Sequence, residues 1–315
     1  SILNGEELEL GGVGGTERIT QRIATVASTY LGSGRNKLFI RGIADSSFTG
    51  PTQATVGQYL GDMRLSYNAP DPDLRLSDLE RVEVLEGPQG TLYGAGSLGG
   101  IIRMVPNSPD LDYASLRGTL GGGLTEGGTG SADTSVTANI PLVSDRAAIR
   151  VVADAATEGG YIDKPMLGRE NVNRTDILAG RAMARVELAP HWTVDAIGLL
   201  QSTRADDSQY TARNGPPYES MAQVEEGFSA DYRHAQLVVA GRIGTIHMRS
   251  TTGIVSQDLE ERYDATVPGQ DERVFTQRNH TEMLAHETRL WRPLEDEKPL
   301  GWLAGVSLID NETQL

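Results

Sequence analysis

Apolar and polar residues alternate strictly along most of the C-terminal two thirds of the chain. The even-numbered residues from Leu178 to Leu188 are apolar or glycine, whereas Arg181, Arg185 and Glu187 lie on the opposite face. A period of two over eight or more residues predicts β-strands with two unlike faces. Such strands are predicted near residues 115–124, 133–142, 146–156, 174–188, 192–203, 232–241, 245–257, 281–292 and 301–310.

The connections between these strands alternate in length. The short ones lie near 142–146, 189–191, 241–245 and 293–299, and the long ones near 157–173, 203–231 and 258–280. Trp192, Trp291 and Trp302 all adjoin short connections. Outer-membrane barrels have short periplasmic turns, longer external loops and interfacial aromatic residues. The pattern therefore favours an antiparallel transmembrane β-barrel over a soluble sheet with one wet face, which the alternation also allows.

Residues 1–110 follow a different pattern, in which short strands mix with short helices. Strands are predicted at 37–43, 56–65, 81–85 and 100–105, and helices at 17–28 and 76–79. The change of pattern falls near Pro106-Asn-Ser-Pro109. We therefore expect two domains, an α+β unit at 1–110 and barrel strands at 111–315. Nine strands are an odd number for a closed antiparallel barrel, so the sequence is interpreted as part of a longer protein.

Composition and charge exclude several functions. Glycine makes up 37 of 315 residues, about 12% against roughly 7% in average usage, as expected for a β protein with many turns. The net charge of −15 argues against a nucleic-acid partner. The absence of cysteine excludes disulfides, cysteine zinc sites and thiol nucleophiles. The five histidines show no H-E-x-x-H spacing, and Asp206 and Asp207 are interpreted as adjacent loop acids. We predict no catalytic site, metal or cofactor, and hence no enzyme.

The segment Gly94-Ala-Gly-Ser-Leu-Gly99 matches the dinucleotide-binding pattern G-x-G-x-x-G. That function needs a strand running directly into the glycines and a helix after them. Here residues 86–93 separate the preceding strand from Gly94, and the following residues are β-branched and end at Pro106. The context therefore argues against a nicotinamide enzyme.

Three segments in a fixed order resemble the plug domain of TonB-dependent outer-membrane receptors. They are Leu38-Phe-Ile-Arg-Gly42, Asp78-Leu-Glu-Arg-Val-Glu-Val-Leu-Glu-Gly-Pro-Gln-Gly-Thr-Leu-Tyr-Gly94 and Gly99-Gly-Ile-Ile-Arg-Met-Val-Pro-Asn107. The resemblance implies a 22-stranded barrel whose lumen is filled by the plug, of which this sequence holds the first part. It places the TonB box and the terminal aromatic strand outside this sequence.

The resemblance also implies a function and a location. A receptor of this kind lies in outer-membrane lipid and imports a scarce small-molecule ligand, such as a ferric siderophore, without changing it chemically. Its energy comes from TonB and the inner-membrane complex that drives TonB. Import of a carbohydrate or of cobalamin is the alternative, and a soluble β-rich binding or adhesion protein is a further one.

The resemblance assigns ligand contact to plug tips and to barrel loops, although exposed loop residues are often simply solvated. The residues expected to contact the ligand are Arg41, Asp45, Ser46, Arg64, Tyr67, Tyr210, Arg213, Tyr218, Arg262 and Tyr263. The connection 258–280 holds six acidic residues against three arginines, which disfavours a strongly anionic ligand.

Other plug residues are expected to have structural roles. Glycine permits close backbone approach and positive φ, so a structural role is expected for Gly42, Gly87, Gly90, Gly94, Gly96, Gly99 and Gly100. The family's plug arginines commonly face barrel glutamates, which makes Glu187 a candidate partner for Arg41 or Arg103, with solvated arginines as the alternative. Asp71 and Asp73 are interpreted as turn residues rather than as calcium ligands.

Overall fold

The computed structural model describes residues 1–10, 14–29, 31–43, 52–90, 96–211, 215–267, 269–294 and 300–315. Its N-terminal part is built from short elements. In chain order they are β1 (Ile2–Asn4), α1 (Gly5–Glu9), α2 (Glu17–Thr20), β2 (Val26–Ser28), β3 (Leu38–Ile40), β4 (Thr52–Gln53), β5 (Val56–Leu60), β6 (Met63–Arg64), β7 (Asn68–Ala69), β8 (Leu79–Glu86) and β9 (Gly100–Pro106).

A mixed five-stranded sheet organises this part of the chain. Its order is β1-β8-β9-β5-β6, with β5 and β9 parallel and the other pairs antiparallel. Two small pairs, β2 with β3 and β4 with β7, lie beside it. Leu8, Ile19, Ile40, Leu60 and Ile102 are almost completely buried. These residues belong to the buried apolar cluster that forms the core of this part. Burying an apolar side chain of this size contributes about 1.5–3 kcal/mol to the free energy of unfolding.

The strands after residue 114 form one antiparallel sheet in sequence order. They are β10 (Ser115–Leu124), β11 (Gly130–Val143), β12 (Ala147–Glu158), β13 (Thr175–Ala189), β14 (Trp192–Ala205), β15 (Phe228–Ile243), β16 (Ile246–Asp264), β17 (Val274–Arg292) and β18 (Trp302–Gln314). The nine strands found in the described residues confirm the predicted fold class, an α+β plug followed by antiparallel barrel-type strands. Within those same residues no helix is long and apolar enough to cross a membrane.

The two faces of this large sheet differ as the alternation predicts. Leu178, Leu200 and Leu237 point away from the N-terminal part and are 66%, 61% and 48% exposed. The intervening Ile197 and Leu199 are each only 6% exposed and belong to the same apolar cluster as the plug core. The inner face of the sheet therefore packs on the N-terminal part, and the apolar outer face is left uncovered.

Several predicted boundaries were wrong. The predicted strand 56–65 is a hairpin that turns at Gly61, whose φ is +60°. The predicted helix 17–28 ends at Thr20. The predicted helix 76–79 is absent among these described residues, and Leu79 instead begins β8. The predicted long connection 258–280 shrinks to 265–273, because β16 and β17 continue their ladder to the pair Asp264–Val274.

The true connections define two edges of the large sheet. We call the side of the sheet where the strand ends are joined by the connections 159–174, 206–227 and 265–273 the loop edge. The opposite edge carries short turns, such as the one between Ile243 and Ile246. Because the strands alternate in direction, successive connections fall on opposite sides, and the five-residue connection 125–129 lies with the three long ones, whereas the connection 293–301 lies with the short turns.

Candidate functional site

An ion-pair cluster around Asp78 joins the plug to the inner face of the large sheet. Asp78 is 4% exposed and accepts hydrogen bonds from Nε and Nη2 of Arg150, at 2.7 and 2.5 Å. Arg181 Nη2 donates to the backbone oxygen of Asp78 at 2.9 Å and lies 3.7 Å from its carboxylate. Asn107 donates to the same carboxylate at 3.0 Å. We call the nine-stranded sheet of residues 115–314 the wall and the N-terminal part before it the plug. One plug carboxylate thus binds two wall arginines, which compensates the cost of burying these charges.

A second cluster lies at the β5–β6 turn. Arg103 donates to Asp62 at 2.9 Å and to Glu83 at 3.1 Å, and Arg249 of the wall also pairs with Asp62. Burial alone would raise the pKa of Glu83, but hydrogen bonds from Arg81 and Arg103 outweigh it and lower that pKa.

The suggested partnership of Arg103 with Glu187 is wrong. Arg103 lies on β9 inside the plug, where Asp62 and Glu83 are its neighbours in the same sheet and satisfy its charge. The wall supplies the cation here, through Arg249, and the plug supplies the carboxylate. Arg41 follows β3 with φ +54° and is exposed.

The residues after β6 form a buried polar turn. Arg64 is 2% exposed, donates to the backbone oxygen of Ser66 at 2.7 Å and stacks 5.0 Å from the ring centroid of Tyr67. Asp71 accepts a hydrogen bond from Ser66, and burial raises the pKa of Asp71 to about 6. Arg64 thus faces its own turn, whereas Tyr67 is half-buried and accepts a hydrogen bond from Gln53 at 3.1 Å.

Aromatic rings surround a plug arginine at the loop edge. The guanidinium of Arg35 lies 5.2, 5.8 and 6.0 Å from the ring centroids of Phe228, Tyr263 and Tyr210. Its Nη2 donates to the backbone oxygen of Glu226 at 2.7 Å. Cation–π contacts of this kind are strongest where water is excluded, and Arg35 is 4% exposed. We call Arg35 and these three rings the Arg35 cluster.

The remaining predicted residues of the large sheet are distributed around that cluster. Tyr218 is 62% exposed, has φ +63° and meets Tyr161 edge to face with centroids 6.1 Å apart. Arg262 and Tyr263 were placed in a loop but lie near the end of β16. Tyr210 and Tyr263 come together, with centroids 6.1 Å apart. Asp45, Ser46, Arg213 and Gly94 lie outside the described residues.

The glycines named above occupy different environments. Gly42, Gly87, Gly96 and Gly100 have positive φ. A Cβ at Gly100 would collide with the backbone oxygen of Leu85, so no side chain fits there. At Gly99 a Cβ would lie 3.4 Å from the Thr55 oxygen, whereas at Gly90 none of the described heavy atoms comes within 4 Å.

Sequence reasoning missed Arg35, Lys164 and Glu226. Arg35 lies in a turn after two glycines, and Lys164 is one of three lysines, in an otherwise ordinary connection. None of these three residues lies in a recognisable sequence motif. Spacing alone therefore gives no signal, because their partners come from connections far apart in the chain. Among the described residues, no group of three or more acidic or histidine side chains is arranged to hold a metal ion.

Comparison with known proteins identifies the class. Residues 1–101 match the family described as TonB-dependent Receptor Plug Domain. These residues are therefore a TonB-dependent receptor plug domain, and the chain has the plug-and-barrel fold of the corresponding part of such receptors.

Individual relatives agree with this class. The ferric yersiniabactin uptake receptor of Yersinia pestis superimposes with a TM-score of 0.82 at 17% identity, covering 99% of this chain and 48% of that one. The siderophore receptor of Acinetobacter baumannii gives 0.69 at 13% identity, with the same coverages. The pesticin receptor of Yersinia pestis is 30% identical over 145 residues, which are 44% of this chain and 20% of that receptor. The chain thus spans about half the length of the solved structures.

Proposed function

We propose that the protein containing this chain is an outer-membrane importer of a ferric siderophore, energised by TonB and its inner-membrane complex. The observation that carries the proposal is the packing of a TonB-dependent receptor plug against the inner face of the nine-stranded sheet. A lumen filled in this way is not a passive pore, so passage requires work on the plug.

The apolar outer face supports a location in outer-membrane lipid. Leu178, Leu200 and Leu237 would be costly to expose to water but suit a hydrocarbon environment. Fractionation of cells that express the full-length protein tests this. We expect it in the outer-membrane fraction, with a gel mobility that changes on heating. Recovery as a water-soluble monomer would refute the membrane location.

The proposed ligand class rests on the relatives and on the chemistry of the loop edge. The superimposed structures include a ferric yersiniabactin uptake receptor, a siderophore receptor and a ferric citrate transporter. We propose Arg41, Tyr67, Tyr210, Tyr218, Arg262 and Tyr263 as ligand contacts, with the buried Arg35 packing against Tyr210 and Tyr263 and holding their rings in place. Tyrosine combines an apolar ring with a hydroxyl, and arginine binds carboxylate or catecholate oxygens.

Radioactive iron uptake tests the ligand class. A strain that lacks the gene is supplied with single ferric siderophores, and uptake is compared with that of the complemented strain. We expect loss of uptake for one siderophore class and its restoration by the full-length gene. Parallel cultures on cobalamin and on oligosaccharides provide the comparison, and a defect confined to either of these would refute siderophore import.

A further inference from the structure

Lys164 is completely buried between two long connections at the loop edge. Its Nζ donates to Asp207 at 2.6 Å, to the backbone oxygen of Val224 at 2.8 Å and to Glu226 at 3.2 Å. Lys164 belongs to the connection 159–174, and its three partners belong to the connection 206–227. We call Lys164, Asp207, Ser208 and Glu226 the Lys164 cluster.

The two carboxylates of the cluster also bind backbone amides. Asp207 accepts from the amides of Ser208 and Glu226, at 2.8 and 3.0 Å. Glu226 accepts from the Ser208 hydroxyl at 2.8 Å and from the amide of Asp264 at 3.0 Å. The cluster therefore fixes the path of the 206–227 connection and ties it to the end of β16.

Glu226 extends this arrangement to the plug. Its backbone oxygen accepts from Arg35 Nη2, and Arg35 packs on Phe228, Tyr263 and Tyr210. The neighbouring Gly34 donates its amide to Asp73 at 3.2 Å, which anchors this plug turn from within. The plug turn 31–36 and the two connections thus meet at one residue.

Electrostatics makes this arrangement depend on Lys164. One buried ammonium neutralises part of the charge of two buried carboxylates, and removal of the ammonium would leave the carboxylates facing each other without a cation. The pair Arg169–Glu225 joins the same two connections, but its side chains are 47% and 52% exposed. An exposed pair is screened by water and contributes little.

We propose that Lys164 is a positioning residue that fastens the two connections to each other and, through Glu226 and Arg35, to the plug turn 31–36. The connections 159–174 and 206–227 and this plug turn then open and close as one unit. In so far as Tyr210 and Tyr263 contact a ligand, the proposal rests on the function proposed above, and a ligand held by these rings would be sensed at the plug.

Hydrogen exchange measured by mass spectrometry on the full-length receptor without ligand tests the proposal. In Lys164→Met we expect exchange about tenfold faster or more, equivalent to about 1.4 kcal/mol, at the amides of 207–208, 226 and 264 and in the plug segment 31–36. Plug strands 56–60 and 82–86 should exchange as in the wild type. Arg169→Met, the control, should leave all of these segments unchanged.

Unchanged exchange at 31–36 in Lys164→Met would overturn the proposal, since the cluster would then fasten only the connections. An equal effect of Arg169→Met would also overturn it. If Lys164→Met does not assemble, Glu226→Gln serves instead, with the same pattern expected at smaller amplitude and the same contrary result. Because no ligand is added, the outcome is independent of whether the protein transports iron.

Discussion

The pairing of Asp78 with two wall arginines predicts how strongly the plug is held. Asp78→Asn removes the charge but preserves the shape and one oxygen acceptor, and asparagine tolerates the φ of +52° that Asp78 adopts. Arg150 and Arg181 are 17% and 5% exposed at their side chains, so both lose a buried counter-charge. Breaking a buried pair from one side costs about 3–5 kcal/mol, and the retained oxygen lowers our expectation to about 3 kcal/mol.

Urea titration of the full-length receptor in detergent measures this loss. A spin label on Leu98→Cys, an exposed plug position, reports unfolding of the plug, while heat-dependent gel mobility reports the barrel. With a slope of about 1–3 kcal/mol/M, the midpoint for the plug should fall by about 1–3 M, and the barrel should stay folded.

A matched control separates burial from mere charge pairing. Arg117 of β10 pairs with Glu9 of the plug, but Arg117 is 58% exposed. Arg117→Gln should therefore shift the midpoint by no more than about a third of the shift in Asp78→Asn, because exposed pairs contribute about 0–1 kcal/mol. Equal shifts in the two variants, or an unchanged midpoint in Asp78→Asn, would refute the reasoning.

Three further predictions concern the plug and the outer face. Burial raises the pKa of Asp71 to about 6 from an unfolded value near 3.8. The stability that protonated Asp71 contributes to the plug is therefore present below about pH 4 and is lost as the pH rises to about 6. Asp71→Asn should be more stable than wild type by about 3 kcal/mol at pH 7.5 and equal to it at pH 4, and identical urea midpoints at pH 7.5 would contradict this. Gly100→Ala should cost about 1–3 kcal/mol and lower the urea midpoint of the plug, because the new Cβ would collide with the backbone oxygen of Leu85. Gly90→Ala should leave that midpoint unchanged. Equal midpoints in the two variants would exclude the steric argument. Leu237→Arg should cost about 2–4 kcal/mol and reduce the heat-modifiable fraction, while Leu237→Met should not; full assembly of the arginine variant would show that this face does not meet lipid.

The strands of the wall could be predicted because their information is local. Because side chains alternate across a strand, the alternation of apolar and polar residues around Leu178, Ile197 and Leu237 predicts which residues share a face. The plug could be predicted in another way, because its motifs follow one another in an order that resembles one family. Neither route located the ends of β16 and β17, because the ladder continues into polar residues such as Glu260 and Arg278, which pair across the strands.

The candidate site was only partly predictable. Tyr210 and Tyr263 were named as separate loop residues, and the structure brings their rings together around Arg35, which no pattern indicated. Arg64 was expected at a ligand-facing tip, and it is instead buried against Tyr67. Whether these residues contact a ligand remains a prediction.

The sequence by itself determined the fold class, the number and the faces of the wall strands that the structure describes, and the exclusion of cysteine chemistry. The tertiary structure alone decided which charges meet: Asp78 with Arg150, Asp62 with Arg103 and Lys164 with Glu226. The physical reason is the distance along the chain between the residues that interact. Strand periodicity is fixed by neighbours two residues apart, whereas a buried ion pair joins residues that are distant in the chain and is specified only when folding removes both charges from water.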